Sequence, residues 1–273
     1  MERKICLVTG ASSGIGHATA LELLHSGHTV YGGARRIERM LDLRAAGAHP
    51  LDMDVTSEAS LTEAVNTVLD KHGRIDVLVN NAGIGLYGAA EEVPIDDARH
   101  EFEVNLFGAA RLIQLVLPGM RGQRSGTIVN VSSVGGELSM ALGAWYHASK
   151  HALEAYSDSL RQEVARFGVR VVIVQPGIVK TAFQDSTPGY LRRVSGRGPY
   201  RKLAETMAGQ AEKAFGEGSK ASDPRLVART IRTAVESSRP KVRYPVGYLA
   251  RPLLLIDKLV PDRVLDRLLN RRS

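Results

Sequence analysis

The sequence has little with which to cross-link itself, grip a nucleic acid or cross a bilayer. It holds one cysteine, Cys6, which cannot close an internal disulfide. Cys6 lies in the apolar run Ile5-Cys6-Leu7-Val8 and reads as a small buried hydrophobe rather than a reactive thiol, so a reducing, cytoplasmic setting is expected. Aromatic residues make up 5% of the chain, with one tryptophan, and no aromatic-basic interleaving or recognition motif of a nucleic-acid binder is present. No uncharged apolar run approaches the ~20 residues needed to span a bilayer. The opening MERKICLVTG lacks the apolar core and cleavage pattern of a signal peptide. No metal site is expected.

Positive charge is in excess, but only locally. The formal net charge is +7, and from Ser222 to Ser273 there are 12 Lys/Arg against 5 Asp/Glu, which accounts for all of it. The remainder is balanced, so the basic character belongs to the C-terminal segment and not to a general nucleic-acid face.

With 273 residues, 44% of them hydrophobic, the chain suits one large α/β domain. Lys4 to Thr9, Thr29 to Gly32, Val77 to Asn80, Thr127 to Ser132 and Val169 to Val174 read as strands separated by amphipathic helices, the pattern of βαβ units wound into a parallel sheet. Val242 to Tyr244 fits a short final strand. Residues 182–222 scatter glycines and prolines among polar residues and predict a mobile excursion, placed where it can cover a ligand at the C-terminal edge of the sheet.

After the first strand, VTGASSGIGHATALELL places Gly10, Gly14 and Gly16 at a strand-to-helix turn. Glycines there permit a tight turn and close approach of a phosphate to a helix N-terminus, although the spacing is G-x-x-x-G-x-G rather than G-x-G-x-x-G and a plain turn is the alternative. The second strand ends at Ala34 followed by Arg35 and Arg36. A carboxylate there would hold the ribose hydroxyl of NAD, whereas two guanidiniums suit the 2'-phosphate of NADP or simply open a solvated helix. Further on, Tyr146 and Lys150 stand four residues apart, on one helical face.

Taken in order, Thr9-Gly10-Ala-Ser12-Ser13-Gly14-Ile15-Gly16, Asp54-Val55, Asn80-Asn81-Ala82-Gly83, Asn105, Ser133, Tyr146-x-x-x-Lys150 and Pro176-Gly177 with Thr181 resemble the short-chain dehydrogenase/reductase (SDR) family, from about Lys4 to Thr181. The resemblance implies a Rossmann-like, doubly wound parallel sheet of about seven strands with helices on both faces, in a single domain. It implies a nicotinamide dinucleotide as cofactor, and Arg35 and Arg36 predict NADP(H) preferred over NAD(H). Asp54 and Val55 would meet the adenine, Asn81 to Gly83 would steady the cofactor strand, and Thr181 would bind the nicotinamide amide. Tyr146 would be the general acid/base and Ser133 a hydrogen-bond partner of the substrate oxygen, with Ser132 its easily confused neighbour. Lys150 would grip the ribose, and Asn105 would hold a water relaying protons to it. A nearby Lys150 ammonium is expected to lower the Tyr146 pKa toward working pH. The reaction implied is hydride transfer between nicotinamide and a carbonyl or secondary alcohol.

Substrate residues are poorly marked. Val134 to Met140, Leu142, Trp145, Phe183, Tyr190, Leu191 and Tyr200 are the candidates; Leu138, Met140, Leu142 and Trp145 suggest an apolar pocket or, more commonly for such residues, ordinary core or interface, and the segment resembles family members acting on steroids, retinoids and other lipophilic carbonyls. Arg192, Arg193, Arg197, Arg201 and Lys202 could meet an acidic substituent or be solvated. In the basic extension, residues 249–273, Leu253, Ile256, Val260, Val264 and Leu268 form one stripe broken by Pro261. The interleaved aspartates favour packing on its own fold or on a partner subunit, and peripheral membrane contact is the less favoured reading. The resemblance implies a homodimer or homotetramer through the helices holding Asn105 and Tyr146. A non-catalytic NADP-binding sensor on the same fold is the main alternative, since a sensor needs the glycine turn but not the acid.

Overall fold

The computed structural model describes residues 2–181, 187–216, 218–261 and 263–265. Phe183 and Leu268 lie outside the described residues. Seven strands form one parallel sheet in the order β3-β2-β1-β4-β5-β6-β7. They are β1 Ile5–Thr9, β2 Thr29–Ala34, β3 His49–Asp52, β4 Val77–Asn80, β5 Gly126–Val131, β6 Val169–Pro176 and β7 Arg243–Val246. Helices fill the crossovers: α1 Gly14–His25, α2 Leu41–Ala45, α3 Glu58–His72, α4 Ile95–Phe102, α5 Gly108–Gly122, α6 Ala144–Val164, α7 Thr187–Ser195, α8 Arg201–Phe215 and α9 Pro224–Glu236. Helix α10 Ala250–Leu259 follows the last strand. None of the helices among the described residues is long and apolar enough to cross a membrane.

Strand periodicity of two divides the interior into two cores. Along β1, Cys6 and Val8 face a core shared with Leu23 of α1 and Val227 and Ile231 of α9, while Ile5 and Leu7 face one shared with Leu61 of α3, Leu112 of α5 and Leu160 of α6. Because helices cover both faces, the inner strands are buried and mostly apolar, with Thr9, Asn80, Thr127, Asn130 and Gln175 as buried polar residues. Cys6 is fully buried, and burial pushes its thiol pKa well up, which makes it an inert core residue.

Two parts of the fold differ from the sequence expectation. Strand β3 is only HPLD, half-buried at the sheet edge; its proline is tolerated there because an edge strand has a side without ladder bonds. Within residues 182–222, α7 and α8 replace much of the expected irregular chain. Leu191 of α7 and Ala204 and Ala208 of α8 bury against Ala89 and Leu142, so tertiary packing of small apolar residues overrides the local glycines and prolines.

Candidate active site

Strands β1 and β4 are neighbours, although the chain first winds outward through β2 and β3, and at such a reversal of strand order the connections leave in opposite directions and open a crevice. Thr9 and Asn81 pin it. The Thr9 Oγ1 accepts the N–H of Asn81 at 2.9 Å and of Ala82 at 2.8 Å, and Asn81 Nδ2 donates to the Thr9 carbonyl at 2.9 Å. Gly10 and Gly14 have φ of +67° and +56°, in the left-handed region that favours glycine. A Cβ on Gly16 would run into the Gly10 carbonyl and the Asn81 amide. Ser13 precedes α1 in an extended conformation and its side chain makes no capping bond. The first-turn N–H groups of α1 are thus available to an anion rather than to their own cap.

The other walls follow from the strand ends. Arg35 and Arg36 are exposed just beyond β2. Asp54 follows β3 and accepts from the Thr56 N–H and hydroxyl at 2.9 and 2.8 Å. Burial would raise its carboxyl, but these bonds win and hold it below the ordinary value. Val55 is fixed by Gly108, the first residue of α5, where any Cβ would meet the Val55 carbonyl. Thr181 lies against Gly14 across the opening. One cleft is lined by Gly10, Ser12, Ser13, Gly14, Ile15, Arg35, Arg36, Asp54, Val55, Asn81, Ala82, Gly83, Tyr146, Lys150, Pro176, Gly177 and Thr181. Gly16, Asn105 and Ser133 are not among the residues that line it. Ile84, Leu86, Val104, Val131 and Val179 also line it, with no motif to announce them.

Helix α6 carries Tyr146 and Lys150 to the C-terminal ends of β4 and β5, both side chains buried. The Ser133 hydroxyl is hydrogen-bonded to the Tyr146 phenol and accepts the Gly135 N–H at 3.0 Å. Ser132 is directed instead toward Gly136 and α6. Lys150 Nζ donates to the Val131 carbonyl at 3.1 Å. Asn105 lies in a π-helical turn, Glu103–Phe107, between α4 and α5, an interruption that often marks a functional position. Its Oδ1 accepts the Ile84 N–H at 2.9 Å, and its Nδ2 donates to the Ile84 carbonyl at 2.9 Å and to Ser149 Oγ at 3.0 Å. Ser149 in turn donates to the Tyr146 carbonyl at 2.8 Å. Asn105 therefore ties the segment after β4 to the start of α6.

Residues 4–189 match the short chain dehydrogenase family. The chain belongs to the short-chain dehydrogenases/reductases. It is 35% identical to a 3-ketodihydrosphingosine reductase of Bacteroides thetaiotaomicron, over 97% of this chain and 96% of the other. It is 34% identical to an NADPH-dependent 3-dehydrocapnine reductase of Ornithobacterium rhinotracheale, over 97% and 95%. The crystal structure of a short-chain dehydrogenase from Streptomyces avermitilis superposes with a TM-score of 0.83 at 37% identity, covering 98% of this chain and 96% of that one.

The electrostatics of this SDR site correct one expectation. The Tyr146 pKa is not lowered but pushed up to about 12, chiefly by burial, with the Ser133 hydrogen bond opposing and the Glu101 carboxylate adding to the rise. Lys150 shares its helical face, yet its ammonium is bonded to Val131, and burial depresses its own pKa to about 8 against the attraction of Glu101 and Glu154. Glu101 was not legible as a site residue. It is fully buried, its Oε1 accepts the Leu86 N–H at 2.9 Å, its Oε2 has no hydrogen-bond partner among the described residues, and burial raises its carboxyl to about 7. Its place four residues before Asn105, on the same helical face, is the one signal that could have found it. Tyr87, whose ring centroid is 5.4 Å from that of Tyr146, gives no signal at all, because it sits in an irregular segment.

Beside Tyr146 and its neighbour Tyr87 the fold packs an apolar wall, none of whose members lines the cleft. Leu142, Leu191, Ala204 and Ala208 are buried together with Tyr87, Tyr200 and Met207 packed against them. Leu138 is also buried, whereas Met140 is exposed and Trp145 half-buried. Several basic residues of this region are already engaged: Arg192 pairs with Glu205 and Glu212, and the Arg193 guanidinium lies 4.7 Å from the Tyr190 ring centroid. Arg197, Arg201 and Lys202 are exposed.

Proposed function

We propose that this SDR is an NADP(H)-dependent reductase of lipophilic carbonyl compounds, with Tyr146 as proton donor. The observation that carries the reading is the convergence of the Ser133-bonded phenol, Lys150 and the glycine turn on one cleft. The turn fits a dinucleotide, since Gly16 leaves no room for a Cβ and α1 begins without a side-chain cap. Ser12, Ser13 and Ile15 would surround the pyrophosphate, Asp54 and Val55 the adenine, and Thr181 the carboxamide. Arg35 and Arg36, with no carboxylate at the end of β2, would meet a 2'-phosphate. When bound, the nicotinamide cofactor supplies the hydride.

The chain's own part is to hold and move one proton. A phenol kept protonated by burial is ready to donate as negative charge grows on a substrate oxygen, and Ser133 would stabilise that same oxygen. Lys150, charged below a pKa of about 8, would bind the ribose and favour the phenolate that remains. Both Asn105 side-chain groups are already bonded, so a water held at this residue would take its main-chain carbonyl. The direction proposed is reduction, since alcohol oxidation would require a phenolate at the outset. Apolar Ile84, Leu86, Val104 and Val179 in the cleft lining, and the two relatives named as reductases of a 3-keto and a 3-dehydro compound, support a lipophilic substrate. Phe107 and Ile95, exposed beside Asn105 on α4 and the π-turn, suit a homodimer or homotetramer contact, and peripheral membrane contact is taken up below.

The test is NADPH and NADH consumption against long-chain ketones and aldehydes. Turnover with NADPH should exceed that with NADH. Tyr146→Phe should lower kcat by at least about a hundredfold, the span of a positioned general acid, with cofactor binding retained. A variant with near-normal turnover would overturn the reading.

A further inference from the structure

We propose that the outward face of α10 docks on an anionic membrane and sets the mouth of the cleft at the lipid boundary. At 100° per residue, Ala250 and Leu254 point inward and are buried at 0% and 6% exposure. On the opposite side Leu255, Ile256 and Leu259 are 59%, 38% and 71% exposed, in line with exposed Pro252. Buried packing thus uses one stripe of this helix and leaves a second apolar stripe facing solvent. Exposed Arg251 and Lys258 border that stripe. Lys258 keeps 63% of its side chain exposed although it meets Glu137 at 3.1 Å.

Of the aspartates that argued against a membrane from the sequence, Asp257 lies among the described residues. Asp257, the only acidic residue of α10, lies on the inward side and is half-buried. Beyond the helix Arg263 and Val264 are again exposed. Among the described residues the outward surface is therefore apolar and positive, the combination by which an interfacial helix binds acidic lipid. A second copy is a poorer occupant, since a two-fold contact through this stripe would bring Arg251 and Lys258 of both copies together. The position of the helix gives the docking a use. Its first turn follows Tyr248, whose carbonyl accepts the Ile178 N–H at 3.0 Å and would block a Cβ on Gly177. Gly177 and Val179 line the cleft, so a helix lying in the headgroup layer holds the opening where a lipophilic compound is concentrated.

The experiment is cosedimentation of the full chain with vesicles of phosphatidylcholine, with and without phosphatidylglycerol. Binding is expected with the anionic vesicles only, and is expected to be released by high salt. Leu255→Asp combined with Leu259→Asp should reduce vesicle partition by at least about tenfold, and Arg251→Gln combined with Arg263→Gln by severalfold. Both pairs should leave the thermal melting temperature unchanged, since these side chains are exposed. No sedimentation with anionic vesicles, or full binding by the double aspartate variant, would overturn the proposal. So would its conversion of a dimer to a monomer without any vesicle binding, which would assign the face to a second copy. Vesicle binding is read without turnover, so its outcome is independent of the catalytic reading.

Discussion

The dinucleotide crevice and the apolar wall beside it approach each other at Tyr146 and Tyr87, yet they are built by different means. The crevice is made of backbone. Glycines at positions 10, 14 and 16, a helix start without a cap, and Thr9 and Asn81 bonding main chain to main chain create it within a few residues of β1 and β4. The apolar wall is made of side chains brought from far apart, as where Ser195 of α7 receives the N–H of Ala89 at 2.9 Å across 106 residues, and Tyr190 donates to Asp97 at 2.6 Å. The difference teaches that a site made from main-chain geometry tolerates almost no substitution, whereas packing made from side chains can be rebuilt.

The sharpest way to break this comparison is Gly16→Ala. Its Cβ would collide with a carbonyl and an amide held by the strands, and no rotamer can relieve a clash at Cβ. A loss of more than about 3 kcal/mol is expected, seen as a lower melting temperature or, if the fold survives, as at least about a hundredfold weaker NADPH binding by fluorescence titration. Gly189→Ala on α7 is the control. A Cβ there meets nothing within 4 Å among the described residues, so this variant should be neutral or more stable by up to about 1 kcal/mol through helix propensity. Equal effects at the two glycines would remove the distinction.

The same division explains what could be read in advance. The strands carrying the crevice were legible because inner parallel strands are continuous apolar runs, and the glycine turn because its constraint is local. Lys150 and Tyr146 were found by helical spacing and family likeness, but their electrostatics were not. Spacing reports that two groups share a face; it does not report that one is turned to the Val131 carbonyl, or that both are dry enough for burial to dominate. Glu101 was invisible because an acid on an amphipathic helix ordinarily faces water. Helices α7 and α8 were hidden by glycines and prolines whose local cost is repaid through contacts with Ala89 and Leu142, residues that no window around position 190 contains.

Glu101 offers the next test. Its carboxyl rises from 4.5 to about 7, so between these pH values the folded chain binds more protons than the unfolded one. Stability contributed by the neutral acid is present below pH 4.5 and lost as pH rises through about 7, by an amount on the order of 3 kcal/mol if burial alone acted. Glu101→Gln retains an acceptor for the Leu86 N–H and removes the titration. Relative to the unaltered chain it should gain about 2 kcal/mol between pH 5 and pH 8, less than the full amount because Lys150 loses an attractive partner. Urea denaturation of both proteins at the two pH values measures this, and a difference that does not change with pH would refute the dry-site account.

The smallest effect is expected on the wall itself. Ser195 is fully buried and its hydroxyl is the acceptor for the Ala89 N–H, next to Gly88, where a Cβ would press on Val93 and Val194. Ser195→Ala leaves that buried donor unmet, which costs about 1 kcal/mol. It changes nothing between Thr9 and Asn81. The variant should therefore raise KM for a lipophilic ketone severalfold while the dissociation constant for NADPH stays within error, a split read from steady-state kinetics beside a fluorescence titration. A matching rise in both constants would mean that wall and crevice are mechanically one unit, and that the side-chain half is no freer to change than the backbone half.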